Sequence, residues 1–301
     1  MSVAGAGGPA LLFQPMVSVV ATVTDGEAHV GETIGSVLDQ TEREFELVLF
    51  DNASRDDSHE IMRSFSDPRI RVVRGRERLS ASAARNQALS FSQAPLVKAI
   101  GDGDLLHPRC LELQSQPLLD DPGLAVVAAR RHVVDDRSRV LVPRRGLRGL
   151  IGSHDGDEIA RKVVRARANL VGEACAVLFR REAMTAAGGW RGGQEELLDL
   201  DCWLRLLQHG DFLGMAEPLA SVRMHGGPGR AGYADRTRTE QAAIGTALTA
   251  TVAPQVRGTD RVRGAVAAPF GAVRRAGVGF LAARSERRRE REERREHAAS
   301  G

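Results

Sequence analysis

From Met16 onward, short apolar runs alternate with longer amphipathic ones. The runs 16–23 (MVSVVATV), 45–50 (FELVLF), 69–74 (RIRVVR), 95–100 (PLVKAI) and 124–130 (LAVVAAR) have strand length and are rich in valine and leucine. Continuous apolar runs of this kind read as strands buried on both faces. Between them, 30–40 (VGETIGSVLDQ), 57–67 (DSHEIMRSFSD) and 81–92 (ASAARNQALSFS) carry helical spacing, and their lengths match the crossover that a parallel pair requires. The alternation predicts an α/β chain of stacked strand–helix units around a mostly parallel central sheet.

Beyond about residue 135 the pattern changes. Arginine and glycine rise through 137–157 (RSRVLVPRRGLRGLIGSHDGD), which reads as a surface loop of the kind that carries specificity. A helix is expected at 157–168, a strand at 174–179 and a second helix at 199–210, closed by Gly210. Two short strands are expected at 211–216 and 219–224. The pattern gives three parts: a disordered leader over 1–15, one domain over 16–257, and a basic, partly helical tail over 258–301. Within the domain, the change of pattern separates a first part, 16–135, from a second, 136–257. The tail, with its mixture of arginine and small apolar residues in 262–284, reads equally as a helix packed on the domain or as a peripheral membrane contact.

Composition narrows the function. The chain has 301 residues, with 42 Lys and Arg against 39 Asp and Glu, a balance that does not make an electrostatic surface for nucleic acid. Three cysteines at wide spacing form neither a disulfide framework nor a thiolate zinc site. With no apolar run of spanning length, they predict a cytoplasmic protein, with peripheral contact at the inner face of a membrane as its furthest excursion.

Open parallel sheets bind ligands outside the carboxyl ends of their strands, so residues just after each strand hold the candidate chemistry. These are Thr22, Thr24 and Asp25 after the first strand, Asp51 and Asn52 after the second, and Asp102 and Asp104 after the fourth; Asp199 and Asp201 open a later helix. Acidic residues at converging strand ends fit a divalent cation and the phosphates it neutralises. Turn and capping roles account equally well for an isolated Asp-Gly-Asp or for 51–54 (DNAS). The carboxylate and amide of 51–52 can also recognise the imide edge of a pyrimidine base. His225, at a strand end before glycines, and its neighbour Arg223 can reach a metal or a diphosphate.

The segments VSVVATVTD, TIGSVLDQT, FELVLFDNASRD, DPRIRVVR, SAARNQAL, GDGDLLHPRCLE and DLDCWLRLL follow one another in an order that resembles the inverting glycosyltransferases of family 2, which have the GT-A, nucleotide-diphospho-sugar transferase-like fold. The resemblance runs from about Val17 to about His225. It implies a three-layer α/β/α architecture, a nucleotide-diphospho-sugar donor, a divalent metal (Mg2+ or Mn2+) on its diphosphate, and a glycan, lipid-linked or small-molecule acceptor. It places the donor at Thr22, Thr24, Asp51, Asn52, Arg85, Asp102 and Asp104, with Asn86 in support. The metal falls to Asp104, Asp102 and His225, and the catalytic base to Asp199. Glu173 and Trp203 fall on the acceptor side, while Asp201, two residues along the helix from the base, turns away.

Four positions depart from that pattern. Thr24 replaces an aromatic residue beside the base, and Asn52 replaces a second aspartate. Gly103 stands where relatives carry the first of two adjacent aspartates, so Asp102 substitutes from one residue earlier and needs a local turn to face inward. The loop after His225 lacks hydroxyl side chains. These changes favour, as the rival reading, a catalytically impaired sugar-nucleotide-binding relative. A nucleotidyltransferase of similar fold would require a lysine-containing glycine loop after the first strand, which is missing from 23–33.

Overall fold

The computed structural model describes residues 14–193 and 197–224. The first four strands lie close to where the apolar runs place them, β1 (Val17–Val23), β2 (Phe45–Asp51), β3 (Ile70–Arg74) and β4 (Leu96–Gly101), and a two-residue β5 (Leu105–Leu106), in none of those runs, follows the aspartates. Helices α1 (Val30–Leu38), α2 (Ser58–Ser64) and α3 (Ala81–Ser90) form the crossovers. Then come α4 (Cys110–Asp120), β6 (Leu124–Val134), β7 (Val140–Arg145), β8 (Gly152–His154) and α5 (Gly156–Ala166). The described chain ends through β9 (Val177–Arg180), α6 (Arg181–Ala186), α7 (Leu198–Leu206) and β10 (Asp211–Arg223).

All strands among the described residues join one sheet, ordered β3-β2-β1-β4-β9-β6-β10-β5, with β7 on β6 and β8 on β10. The first four pair in parallel, as does β10 with β6. β9 enters antiparallel between β4 and β6 and joins the two halves. Two apolar layers flank the sheet. α1, α2 and α4 bury Val30, Ile34, Val37, Met62, Leu111 and Leu118 on one face. On the other, α3, α5 and α7 bury Ala84, Ile159, Val163, Leu200 and Trp203. Val19 belongs to the first layer and Val20 to the second, so β1 is covered on both sides, and the three-layer architecture follows from burying that strand twice.

The structure adds β5 and α6, which no expected segment covers, and differs from the sequence reading at three further places. The expected surface loop carries β7 and β8, short edge strands whose alternation is diluted by Pro143 and by glycines. The expected pair of strands at 211–224 is one strand, β10, with register shifts between Met215 and Ala220. Pro218 lies there and cannot donate to a ladder, which is why the sequence reads as broken. Helix α4 carries Pro117 inside it and was hidden by that residue. All three cysteines are buried and unpaired. No helix among the described residues is long and apolar enough to cross a membrane. The leader, save Gln14 and Pro15, the tail and His225 lie outside the described residues.

Candidate active site

Strand order reverses where β1 lies between β2 and β4, and the carboxyl ends of these three strands form one edge of the site. In the ladder Thr22 stands opposite Gly101 and Val23 opposite Asp51. The loops beyond are laced together by backbone-to-side-chain bonds. Asp25 N–H donates to Ser54 Oγ at 3.2 Å, Gly26 N–H to Ser58 Oγ at 2.8 Å, and Arg55 N–H to Asp25 Oδ1 at 2.8 Å. Asp25 has a positive φ of 53° and is gripped by Arg78 Nη2 at 2.7 and 2.8 Å. The Arg55 amide and Arg78 hold its carboxyl below the usual carboxylate range.

Asp51 is fully buried, and its carboxylate accepts from Ser54 N–H at 2.8 Å and lies 3.1 Å from Arg74 Nε and 3.2 Å from His59 Nδ1. Asn52 is buried too. Its Oδ1 accepts from Leu79 N–H at 2.8 Å, while its Nδ2 donates to Leu79 O at 3.1 Å and to Thr24 Oγ1 at 3.2 Å. Both side chains are therefore engaged with protein partners, and Asn52 clamps the loop that leads into α3 to the end of β2.

The segment 101–104 is a tight turn: Asp104 N–H donates to Gly101 O at 3.3 Å, and strand pairing stops at Gly101. The turn brings Asp102 over the end of β1, where its Oδ2 accepts from Thr24 N–H at 3.1 Å. Gly26 makes room for it, since a Cβ there would lie 2.8 Å from Asp102 Oδ2. Asp104 goes the other way. It is only 8% exposed, with Oδ2 accepting from Gly101 N–H at 3.0 Å and Oδ1 from Arg223 N–H at 3.3 Å. Burial pushes its carboxyl above the usual range against the pull of those amides, and Glu173 and Asp102 add to the push.

The other edge is built around Asp199 in the first turn of α7. Arg85 Nη1, from α3, donates to its Oδ1, and Ala174 N–H donates to its Oδ2 at 3.0 Å. Asn86, beside Arg85, clamps the backbone of Trp190 from both sides, at 2.7 and 2.9 Å. The Arg85 guanidinium lies 5.8 Å from the Trp190 ring centroid, within cation–π reach. Asp201 pairs with Arg205 along the helix at 2.8 Å. Trp203, expected on the acceptor side, is fully buried and donates its indole N–H to Gly172 O at 2.9 Å, so it supports the loop ahead of Glu173 from within the core.

Glu173 is ion-paired with Arg131 Nε and lies 3.8 Å from Arg145 Nη1. Burial pushes its carboxyl up, but the two arginines outweigh it and hold it at about 2. Arg131 is a residue that sequence reasoning missed. Its signal was legible: Arg130 and Arg131 interrupt an otherwise apolar strand, and a buried arginine needs an acidic partner.

The candidate metal residues divide accordingly. No group of three His, Cys, Asp or Glu side chains arranged to hold a metal occurs among the described residues. Magnesium-type cations, however, are usually held by one or two carboxylates together with substrate phosphate and water. Asp102, a partly exposed carboxylate at the mouth of the β1–β4 crevice, fits that kind of shared site. Asp104 lies behind it with its oxygens on backbone amides.

Residues 18–186 match the family model described as Glycosyl transferase family 2. The chain is 30% identical to the uncharacterized protein MT1568 of Mycobacterium tuberculosis over 70% of this chain and 68% of that protein. It is 29% identical to the UDP-Glc:alpha-D-GlcNAc-diphosphoundecaprenol beta-1,3-glucosyltransferase WfgD of Escherichia coli, over 35% of this chain and 41% of WfgD. Among solved structures, the mannosyltransferase PcManGT from Pyrobaculum calidifontis, in complex with GDP-Man and Mn2+, superimposes with a TM-score of 0.55 at 16% identity, over 90% of this chain and 81% of that one.

Proposed function

The chain belongs to glycosyl transferase family 2 and is a glycosyltransferase of glycan or cell-envelope biosynthesis, and on that premise we propose that it moves a sugar from a nucleotide-diphospho-sugar to an acceptor hydroxyl with inversion, using a divalent cation. The observation that carries this reading is the separation of two carboxylates on different elements. Asp102 stands at the crevice of β1 and β4, and Asp199 stands on α7 with both oxygens oriented by neighbours.

Inversion requires a base on the face of the sugar opposite the leaving diphosphate. Asp199 is that base. Each carboxylate oxygen has a second lone pair, so Asp199 can accept the acceptor's proton while Arg85 and Ala174 N–H keep it oriented. Donor orientation falls to the edge formed by Thr22, Thr24, Asp51, Asn52 and Asp102. Asp102, backed by Asp104, would hold the cation, which when bound neutralises charge on the leaving diphosphate. His225 stays a candidate ligand, outside the described residues. Glu173, between two arginines, borders the space for the acceptor.

The donor class is a UDP- or GDP-sugar, in keeping with the UDP-Glc in the name of WfgD and the GDP-Man bound to PcManGT. A lipid-linked diphosphate acceptor is proposed on the same ground. The experiment is a panel of UDP-glucose, UDP-N-acetylglucosamine and GDP-mannose with Mg2+ or Mn2+, reading nucleoside diphosphate release and thermal shift. Release from one donor that depends on Asp199 is the expected result. Binding without release from any donor would replace the transferase with the impaired relative, a reading favoured by the burial of Asp104 and by glycine at position 103.

A further inference from the structure

Arg223 closes β10, and its side chain is fully buried with its guanidinium hydrogen-bonded to protein. Nε donates to Gly103 O at 3.0 Å and Nη1 to Asp135 O at 2.9 Å. Nη2 donates to Glu32 Oε2 at 2.6 Å and to Ser138 Oγ at 2.9 Å. Ser138 Oγ in turn donates to Glu32 Oε2 at 3.0 Å, which closes a triangle between α1, the β6–β7 turn and the end of β10. Arg223 N–H meanwhile holds Asp104 Oδ1. Thr33 Oγ1, one residue beyond Glu32 on α1, donates to Asp104 O at 2.9 Å.

We infer that Arg223 is a positioning residue for donor binding, fixing the 101–104 turn through Gly103 O and Asp104 so that Asp102 faces the β1–β4 crevice. The guanidinium's planar fork suits the task, because it meets acceptors from three segments in fixed directions that a lysine ammonium cannot reproduce. Its position also makes the turn sensitive to the β6–β7 hairpin of the acceptor-side half. Glu32 and Ser138 lie at the outer end of the device, and the Glu32 side chain is 53% exposed, so both can be altered with little risk to the core.

The inference rests on the donor reading above, and its test separates the two. UDP and GDP are titrated calorimetrically into the full chain with Mn2+, and KM and kcat are measured with the donor that turns over. Glu32→Gln and Ser138→Ala are each expected to weaken nucleotide binding and raise donor KM several-fold, and Arg223→Lys by roughly tenfold or more, with kcat and acceptor KM little changed. Variants at 32 and 138 that lower the melting temperature but leave nucleotide affinity and donor KM untouched would make the triangle a stability feature and overturn the inference. Absence of binding by the unmodified chain would overturn the donor reading, and this inference with it.

Discussion

Arg85 and Asp199 lie 114 residues apart and are joined by a hydrogen bond from the guanidinium Nη1 to the carboxylate Oδ1. The pair links α3, which leads into β4, to α7, which leads into β10. It aims one carboxylate oxygen, while the Ala174 amide aims the other.

Replacing Asp199 by Asn keeps the shape and removes the proton acceptor. Transfer is expected to fall by about two to four orders of magnitude, the usual worth of a positioned base, while UDP or GDP affinity stays nearly unchanged. Single-turnover nucleotide release alongside calorimetry checks it. Equal loss of both would remove Asp199 from the role of base.

The two aspartates of the turn should separate under substitution. Asp102→Asn should leave the melting temperature close to that of the parent and remove most of the Mn2+-dependent part of nucleotide affinity. Asp104→Asn turns an amide nitrogen toward one of two backbone N–H donors and should destabilise by about 1–3 kcal/mol. Denaturant unfolding and metal-dependent nucleotide titration of both variants read the difference.

Gly26→Ala places a methyl carbon 2.8–3.0 Å from the Asp102 carboxylate and Cβ, so the side chain must swing off the end of β1. A loss of nucleotide affinity of roughly tenfold is expected, with a smaller effect on stability because the displaced group is a movable side chain. A Gly26→Ala, Asp102→Ala double variant that binds nucleotide more weakly than Asp102→Ala alone would show that the added methyl group acts elsewhere than on Asp102.

Glu173 gives a pH signature. Its carboxyl is held at about 2 against an ordinary 4.5, so its contribution to stability is fully present above about 4.5 and is lost as pH falls toward 2. Glu173→Gln leaves Arg131 without that partner's charge and should destabilise by about 3 kcal/mol at neutral pH, the lower end for a broken buried pair because Glu173 is partly exposed. The gap between the two proteins should close between pH 4.5 and 2 in a series of unfolding curves. A gap that stays constant across that range would mean that the charge of Glu173 does not carry the effect.

The strands and crossovers of the first hundred residues were legible because both faces of β1, β2 and β4 are buried, which writes continuous apolar runs into the chain. Beyond residue 135, β7 and β8 are short strands off the main path of the sheet, with Pro143 inside β7, and the long β10 is interrupted at Pro218, so the apolar pattern weakens there. Site residues were legible as types at strand ends. Their directions were not: Asp102 and Asp104 differ by two positions, and only the bond from Asp104 N–H to Gly101 O sends one to the crevice and the other inward. Arg223 read as a phosphate ligand in sequence because an arginine after a strand has that reach, whereas its partners, Glu32 and Ser138, are distant in the chain.

Glu173 and Ala174 are consecutive residues, one carrying the carboxylate between Arg131 and Arg145 and the next supplying the amide that aims Asp199. A substitution at 173 that rotates this peptide also turns the Asp199 oxygen that the Ala174 amide holds. Under the proposed roles of Glu173 and Asp199, acceptor preference is therefore poorly suited to redesign one residue at a time: a library that varies position 173 has to vary its two arginine partners with it, or it will select for turnover while appearing to select for substrate.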